Sequence, residues 1–505
     1  MAASSSIKEM SASISGISND KHCPGHLQIL KAFTAALREK ENRDAVDESV
    51  LCPLLHVLTR LSDELHAADS EGQDVSSVTL ELQLTAECFR AQRNACVQST
   101  SNQTLLRDLG FIDVTLKLLK YLQTKDGQYG ALEALCCGIQ FIGNVAVGNQ
   151  NAKMIFGSSL SRPSPVSLHA KALLLLCITP IILSISFNRQ LLCVDDEKTV
   201  TYASMVLHTC LDEAKVESLA LPQNISLALK VMELCRTQPD IDWTVLISTQ
   251  HFLKCTVLVE SMYTRMHHND RVTLLELLLA QLREDDSECG VPRTVASFLA
   301  SCFQSGCSAV LSLATGSVSS NEVLQEALTV ISLLDVLCEM SSDHREFMFL
   351  QDHPDLLSNT IDLLAQVHAI GKSSKNIFSA SHNFSSFGGE GASSHHSPVI
   401  SFKAHLIRLI GNLCHNNANN QNKVRELDGI PLILDNCNID SNNPFINQWA
   451  IFAIRNLLEN NMENQKLVAS MEQHGATDYS ALRELGLEVE ERDGGLLLKT
   501  VRKDT

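Results

Sequence analysis

Apolar residues recur every three or four positions along most of the chain, and the pattern is clearest near its C-terminal end. Between residues 406 and 414 the apolar stripe consists of Leu406, Leu409, Ile410 and Leu413. Residues at i, i+3, i+4 and i+7 share one face of an α-helix, so this segment is predicted to be an amphipathic helix. Comparable runs predict helices at 79–96, 201–210, 224–235, 271–282, 292–313 and 323–340. The pattern predicts an all-α protein.

A polar signature accompanies several of these helices: an Asn is followed eight and nine residues later by Asn-Gln. Three copies begin at Asn94, Asn412 and Asn456, and Asn144 marks a weaker copy in which Asn-Gln arrives too early. Asn412 and Asn456 lie 44 residues apart, which is a typical period for a helical repeat. We therefore predict an α-solenoid of stacked helical repeats.

Asn412 lies at the edge of its apolar stripe, where its side chain can help to cover the core and still reach solvent. Two interpretations stay open: its amide bonds the backbone of its own repeat, or it holds the main chain of an extended ligand. Between the copies, Gly429 is expected to take a positive φ at a helix end and Pro431 to begin the next helix. Under the ligand interpretation the candidate protein-binding residues are Asn94, Asn144, Arg408, Asn412, Arg455 and Asn456.

Composition shifts along the chain predict six segments. In order they are a Ser-rich disordered N-terminus (1–24), N-terminal repeats (25–156), an atypical apolar insertion (157–190), divergent helical repeats (191–370), a flexible loop (371–400) and a C-terminal repeat domain (401–505).

Three of these regions leave alternatives open. The apolar run at 172–187 carries Pro180 at its centre and is shorter than the roughly 20 residues that span a bilayer. A buried core segment is favoured there over a membrane segment or a segment foreign to the fold. The loop at 371–400 is either a docking loop or a tolerated insertion, and the insertion is favoured. After the last repeat we expect a short capping helix at 479–486, and residues 496–499 either form a short strand or pack on that repeat.

Composition excludes several classes of function. The net charge of −18 disfavours nucleic acids and anionic membranes, which attract basic surfaces. Seventeen cysteines occur without C-x-x-C pairs or zinc spacing, as free thiols do in a reducing compartment, and the N-terminus lacks a secretory pattern. No phosphate loop, nucleophile elbow or metal-binding helix motif is present. We therefore expect a cytoplasmic protein without catalytic activity, cofactor or metal.

The repeated signature carries a resemblance to a known family. With residues 429–434 between its copies it resembles armadillo repeats, and residues 405–438, 443–445 and 453–457 resemble the C-terminal domain of the ataxin-10 family. The resemblance implies an armadillo-like solenoid, perinuclear in the cytoplasm and associated with the centrosome, cilium basal body and midbody. It implies roles in cytokinesis, neurite outgrowth and neuron survival, and mitotic kinases, O-GlcNAc transferase and G-protein β subunits as partners. Homo-oligomers stay an open alternative.

Two departures qualify the resemblance. Residues 157–189 look inserted or replaced relative to family members. Armadillo proteins that carry nuclear cargo place Trp four residues before the Asn, whereas this chain has Arg90, Gln140, Arg408 and Phe452 there. A transport adaptor that binds extended peptides is therefore the alternative function, and an importin-like groove is not expected.

Overall fold

The structure is a computed structural model of the chain, and it divides into two compact units, Met1–His251 and Phe252–Thr505. The boundary between the units falls inside the predicted block of divergent repeats at 191–370. The structure describes residues 2–17, 22–70, 78–125, 130–147, 191–284, 290–315, 321–343, 345–371, 378, 399–437, 440, 442–473, 487–492 and 495–500.

The first unit is helical throughout its described residues. Its helices are α1 (Ala2–Ile17), α2 (Pro24–Ala36), α3 (Lys40–Asp44), α4 (Glu48–Ser70), α5 (Thr79–Cys96), α6 (Thr100–Asp108), α7 (Phe111–Gln123), α8 (Ala131–Val147), α9 (Glu197–Cys210), α10 (Glu213–Leu219), α11 (Ile225–Thr237) and α12 (Asp242–Gln250).

The second unit is also helical, apart from one β-hairpin. Its α-helices are α13 (Thr256–Tyr263), α14 (His268–Arg283), α15 (Arg293–Gly306), α16 (Asn321–Ser342), α17 (Leu356–Gly371), α18 (Phe402–Cys414), α19 (Ala418–Glu426), α20 (Gly429–Asp435), α21 (Ile446–Leu458) and α22 (Met462–Gln473). Short 3₁₀ helices occupy Phe252–Lys254, Cys307–Thr315 and Met348–Asp352, and β1 (Leu487–Arg492) pairs antiparallel with β2 (Gly495–Thr500).

Within each unit the helices that carry the asparagine signature pack side by side with one another and with further helices. In the first unit α2 packs on α5, α5 on α8, α8 on α9, and α9 on α12. In the second unit α14 packs on α16, α16 on α18, and α18 on α21. This arrangement confirms the predicted α-solenoid of stacked helical repeats.

Burial of the predicted stripes holds these stacks together. Leu406, Leu409, Ile410 and Leu413 of α18 are all buried, and Phe33, Phe89 and Phe141 fill the core of the first unit. Gly411 lets α18 and α21 approach closely: a Cβ atom there would lie 3.0 Å from both the Ala453 Cα atom and the Phe452 ring. Each buried leucine contributes about 2 kcal/mol to stability, so the stripe is the main source of stability.

Left-handed residues recur at fixed positions of the repeat. The fourth residue after the signature Asn has a positive φ in three copies, at Gln98, Asn416 and Asn460. Gly110 and Asp428 both have a positive φ and precede α7 and α20. The expectation for Gly429 is therefore wrong, because the left-handed residue is Asp428. Gly429 is needed for space, since a Cβ atom there would lie 2.7 Å from a Val424 methyl group.

The predicted disorder of residues 1–24 is wrong for residues 2–17, which form α1. Ile7, Ile14 and Ile17 of this helix are buried, and α1 packs on α2 and α4. Apolar side chains at the spacing of a helix face stabilise it despite the many serines around them.

Other predictions fall on residues outside those described. They concern the apolar insertion at 157–190, most of the loop at 371–400 and the capping helix at 479–486. Of the two alternatives for residues 496–499, the structure has the strand, as part of β2.

One segment of the described chain, Arg293–Leu313, is long and apolar enough to cross a bilayer by length and composition. It comprises α15 and most of the 3₁₀ helix that follows. Val295, Leu299 and Phe303 on α15 are fully or almost fully buried within the second unit.

The described cysteines are free thiols, and many of them are buried. Cys137, Cys210, Cys338 and Cys414 are buried, and Cys136 is half-buried. Burial raises the pKa of Cys136 and of Cys210 to about 11, so both thiols are protonated and unreactive at neutral pH.

Candidate functional site

The signature asparagines connect neighbouring helices of the stack. In each case the side-chain amide donates a hydrogen bond to a main-chain carbonyl near the C-terminus of the preceding helix. The donors and acceptors are Asn94 to Thr34 (3.0 Å), Asn144 to Arg93 (3.3 Å), Asn412 to Cys338 (3.1 Å) and Asn456 to Gly411 (2.9 Å). Three of these acceptors, Thr34, Arg93 and Gly411, are among the last four carbonyls of their helices, which lack partners within the helix. The amides therefore satisfy groups that the helix itself leaves unpaired.

The Asn-Gln pair eight and nine residues later caps the helix that carries the signature itself. Each side-chain amide donates to the carbonyl seven residues before it. The pairs are Asn102 to Ala95 and Gln103 to Cys96 (both 3.1 Å), Asn420 to Leu413 (2.8 Å), Gln421 to Cys414 (3.4 Å), Asn464 to Leu457 (2.8 Å) and Gln465 to Leu458 (2.8 Å). This contact explains the fixed spacing of the signature.

The same pair also reaches adjacent repeats. Asn420 donates to the Gln351 carbonyl at 2.8 Å, and Gln421 donates to the Asn456 carbonyl at 2.8 Å. Asn464 in turn donates to the Gln421 carbonyl at 3.2 Å. Together these bonds form a ladder of side-chain amides along the stack, which we call the amide ladder.

The amide ladder corrects the interpretation that Asn412 bonds the backbone of its own repeat. Its amide does bond a backbone carbonyl, but that carbonyl belongs to the preceding repeat and not to its own. The side chain is only 3% exposed and also donates to the Ser341 hydroxyl at 2.9 Å, so it does not reach solvent as expected. Contact of Asn94, Asn144, Asn412 and Asn456 with a partner protein stays a prediction. Each of these amides already donates at least one hydrogen bond within the stack.

Arg408 is the centre of a charged cluster in the second unit. Its guanidinium makes two hydrogen bonds to the Glu339 carboxylate, at 3.2 and 2.9 Å, and lies 4.8 Å from the centre of the Trp449 ring. Arg283 binds the same carboxylate at 3.2 Å. A two-bond arginine–carboxylate pair fixes orientation as well as distance, so α14, α16, α18 and α21 are positioned relative to one another.

This charged cluster makes the stability of the second unit depend on pH. Burial raises the pKa of the Glu339 carboxyl, but the Arg408 and Arg283 guanidiniums outweigh burial and hold that pKa below its ordinary value. The folded state therefore binds fewer protons than the unfolded state, which has a pKa of about 4.3. The stabilisation is present above that value and is lost as pH falls through the folded pKa.

We expect Glu339→Gln to destabilise the C-terminal unit at pH 7, with a deficit relative to wild type that shrinks steadily below about pH 4.5. Urea unfolding at a series of pH values measures this difference. Glu463→Gln is the matched control, because Glu463 pairs with Lys466 on the surface and both side chains are two-thirds exposed. A deficit that stays constant with pH would contradict the role of the Glu339 charge.

The residues that stand where cargo-binding armadillo proteins carry Trp make side-chain contacts within and between helices. Arg90 donates to Glu87 at 3.0 Å and also pairs with Glu133 of α8. Gln140 accepts a hydrogen bond from Arg93. Phe452 packs edge-on against Trp449, with ring centres 5.9 Å apart. The expectation that the chain lacks an importin-like groove stays a prediction.

Arg455 differs from the other candidates because it is exposed. Within the ranges that the structure describes, its side chain has no hydrogen bond or ion pair. On the same helix lie half-buried Trp449 and, immediately before its first residue, Phe445, which is 65% exposed. We call Phe445, Trp449 and Arg455 the α21 surface.

Sequence patterns missed some of the residues that build this region. Gln351 donates to the His415 carbonyl at 2.8 Å and accepts from Asn417, yet no repeated spacing distinguishes it. Phe445 lies in the Asn-Pro-Phe stretch at 443–445, but composition shows neither its left-handed backbone nor its exposure. In the described part of the chain no group of three or more His, Cys, Asp or Glu residues is placed to hold a metal ion.

The stacked helices and the amide ladder define the class of protein: an all-α solenoid of armadillo-like repeats. Residues 402–499 match the family described as the spinocerebellar ataxia type 10 protein domain. The chain is 42% identical over 480 residues to ataxin-10 of Xenopus tropicalis, covering 94% of this chain and 92% of that protein. It is 39% identical over 482 residues to ataxin-10 of Homo sapiens, covering 94% of each. The chain belongs to the ataxin-10 family.

One solved structure that resembles the chain is a crystal structure of an engineered protein. It aligns over 94% of both chains with 12% sequence identity and a TM-score of 0.39. The fold assignment rests on the helices described above.

Proposed function

We propose that this protein is a non-enzymatic interaction scaffold that binds other proteins through the α21 surface. The observation that carries the proposal is Phe445. Its backbone has a φ of +63°, in the left-handed region where a bulky residue is strained, and its side chain is 65% exposed. Strain at an exposed residue is characteristic of a functional site.

The previous repeat shows that folding does not require an aromatic residue at this position. Ser401, 44 residues earlier, precedes α18 as Phe445 precedes α21, and it has nearly the same φ of +67°. The repeat therefore needs the left-handed backbone at this point, which glycine, asparagine or serine supplies with less strain than phenylalanine. The phenyl ring gains little from burial, so binding is the role that favours it.

Two further side chains of α21, those of Trp449 and Arg455, are of the types that occur at protein-binding surfaces. Trp449 is half-buried and stacked on Arg408, so it is held in one orientation. Arg455 is exposed, and no carboxylate of the described residues pairs with it. Aromatic and arginine side chains dominate the energy of protein interfaces. The surface therefore suits a partner segment with apolar and acidic side chains.

Membership of the ataxin-10 family supports a more specific version of the proposal. In it, the scaffold acts in cytokinesis, in the organisation of centrosome and cilium base, and in neurite outgrowth and neuron survival. Its partners are mitotic kinases, O-GlcNAc transferase and G-protein β subunits, and it is cytoplasmic and perinuclear. The alternative of a cargo adaptor is less well supported, because the asparagine amides that would hold a peptide main chain are bonded within the stack.

A single substitution separates binding from stability. We expect Phe445→Gly to leave the melting temperature unchanged or slightly higher, since about 1–2 kcal/mol of backbone strain is relieved. The same variant should lower affinity for the proposed partners at least tenfold, measured by direct binding of each purified partner to the full chain.

Leu427→Ala is the matched control, because Leu427 is a 40% exposed apolar residue elsewhere in the same unit. Its affinities should equal those of wild type. If Phe445→Gly binds every partner as wild type does, the α21 surface is not the binding site.

A further inference from the structure

A cleft of about 290 Å³ lies between α2 and α5 in the first unit, and it differs in charge from the rest of the molecule. Four of its lining residues are cationic and one is acidic: Lys31, Arg38, Arg90, Arg93 and Glu87. The chain as a whole carries a net charge of −18. A local excess of positive charge in an acidic protein needs an explanation other than general solubility.

In the described part of the chain, three of these four cations have no carboxylate partner. Arg90 is neutralised by Glu87 and Glu133. Lys31 and Arg38 are exposed, and among the described residues their side chains have no hydrogen bond or ion pair. The third is Arg93, which makes contacts of a different kind.

Arg93 is held in place by neutral groups only. Its Nε and Nη2 atoms donate to the Asn94 amide oxygen at 3.3 and 3.1 Å, and Nη1 donates to the Gln140 amide oxygen. Amide oxygens orient a guanidinium without cancelling its charge. The side chain is therefore fixed before binding, and less conformational entropy is lost when an anion arrives.

We propose that this cleft binds a phosphorylated serine or threonine side chain of a partner protein. A phosphate group brings a charge of about −1.5 to −2 and three acceptor oxygens, which match three uncompensated cations better than one carboxylate does. The cleft is open to solvent at Lys31 and Arg38, so a side chain on a peptide can enter it. This inference goes beyond the proposed scaffold function, because it concerns a different unit and different residues.

The test uses the full chain and a degenerate fluorescent peptide library with a fixed central phosphoserine or phosphothreonine. The same library without phosphate and a library with Glu at the central position are compared by fluorescence anisotropy. We expect the phosphorylated library to bind at least tenfold more tightly than either of the others. Lys31→Ala/Arg38→Ala should reduce that binding at least tenfold, since both residues are exposed and hold no other side chain.

Lys40→Ala/Lys120→Ala is the matched control, because it removes the same two charges from exposed positions outside the cleft. Its binding should equal that of wild type, and both double variants should melt as wild type does. Equal binding of all three libraries, or equal loss in both double variants, would overturn the proposal. Retention on phosphoinositide vesicles without binding of the phosphorylated library would assign the cleft to lipid headgroups instead. Phe445→Gly should bind the library normally, so failure here is distinct from failure of the α21 surface.

Discussion

Asn420→Ala is expected to lower the free energy of unfolding of the C-terminal unit by about 2–3 kcal/mol. The side-chain amide of Asn420 donates to two carbonyls, those of Leu413 and Gln351, both at 2.8 Å. Each hydrogen bond contributes about 1 kcal/mol, and the two carbonyls lose their partner when the amide is removed. Urea unfolding of the full chain, followed by circular dichroism, measures the change.

The adjacent residue supplies the control. Asn419 lies on the same helix, α19, and is exposed without a side-chain contact in the described structure. Asn419→Ala should leave stability unchanged or raise it by about 0.5 kcal/mol, because alanine has the higher helix propensity. Both substitutions gain the same helix propensity. The difference between their free energies of unfolding therefore measures what the Asn420 amide contributes through the amide ladder. Equal effects of the two substitutions would show that the ladder contributes nothing measurable.

Gly411→Val is expected to lower the same free energy of unfolding by about 3 kcal/mol. Its Cβ atom would lie 3.0 Å from the Ala453 Cα atom, which belongs to the backbone of α21 and cannot rotate away. The two further methyl groups of valine would push α18 and α21 apart, and the hydrogen bond from Asn456 to the Gly411 carbonyl would lengthen. Calorimetric melting of the full chain measures the loss.

Gly306→Val is the comparison for this substitution. A Cβ atom at Gly306 meets only a methyl group of Val330 at 3.6 Å, which is an ordinary contact. Its effect should stay within about 1 kcal/mol. A loss at Gly306 as large as that at Gly411 would mean that helix propensity, and not the close approach of α18 and α21, decides the result.

The helices were predictable because their apolar spacing is a local property of the sequence. Thr79–Cys96 begins and ends where the pattern predicted, and the buried stripe of α18 is the predicted one. The segment predicted as one helix at 292–313 is α15 followed by a 3₁₀ helix, which begins at Cys307. Periodicity alone does not distinguish these two kinds of helix over so few residues.

The asparagine signature was also visible in the sequence, but its partners were not. The bond from Asn420 to Leu413 spans seven residues, whereas that from Asn412 to Cys338 spans 74. Only the packing of one helix on another brings the second pair together. Spacing within a repeat therefore predicts that an asparagine has a structural role, but it does not predict which carbonyl accepts its hydrogen bond.

Two further features depended on details that composition hides. Helix α1 lies in a Ser-rich segment whose composition predicts disorder. Its three buried isoleucines stabilise the helix because they share one face, and composition does not show that spacing. The left-handed position before α20 is taken by Asp428, although a neighbouring glycine is the usual choice. Steric crowding against Val424 places the glycine one residue later.

The double role of Gln421 has a consequence for how the C-terminal unit comes apart. Its amide bonds the Cys414 carbonyl of one repeat and the Asn456 carbonyl of the next, so neither repeat keeps its full set of hydrogen bonds alone. In a nearest-neighbour description of repeat proteins, such bonds belong to the coupling term and not to the intrinsic stability of a repeat. Strong coupling makes the repeats of this unit unfold together, as one cooperative block.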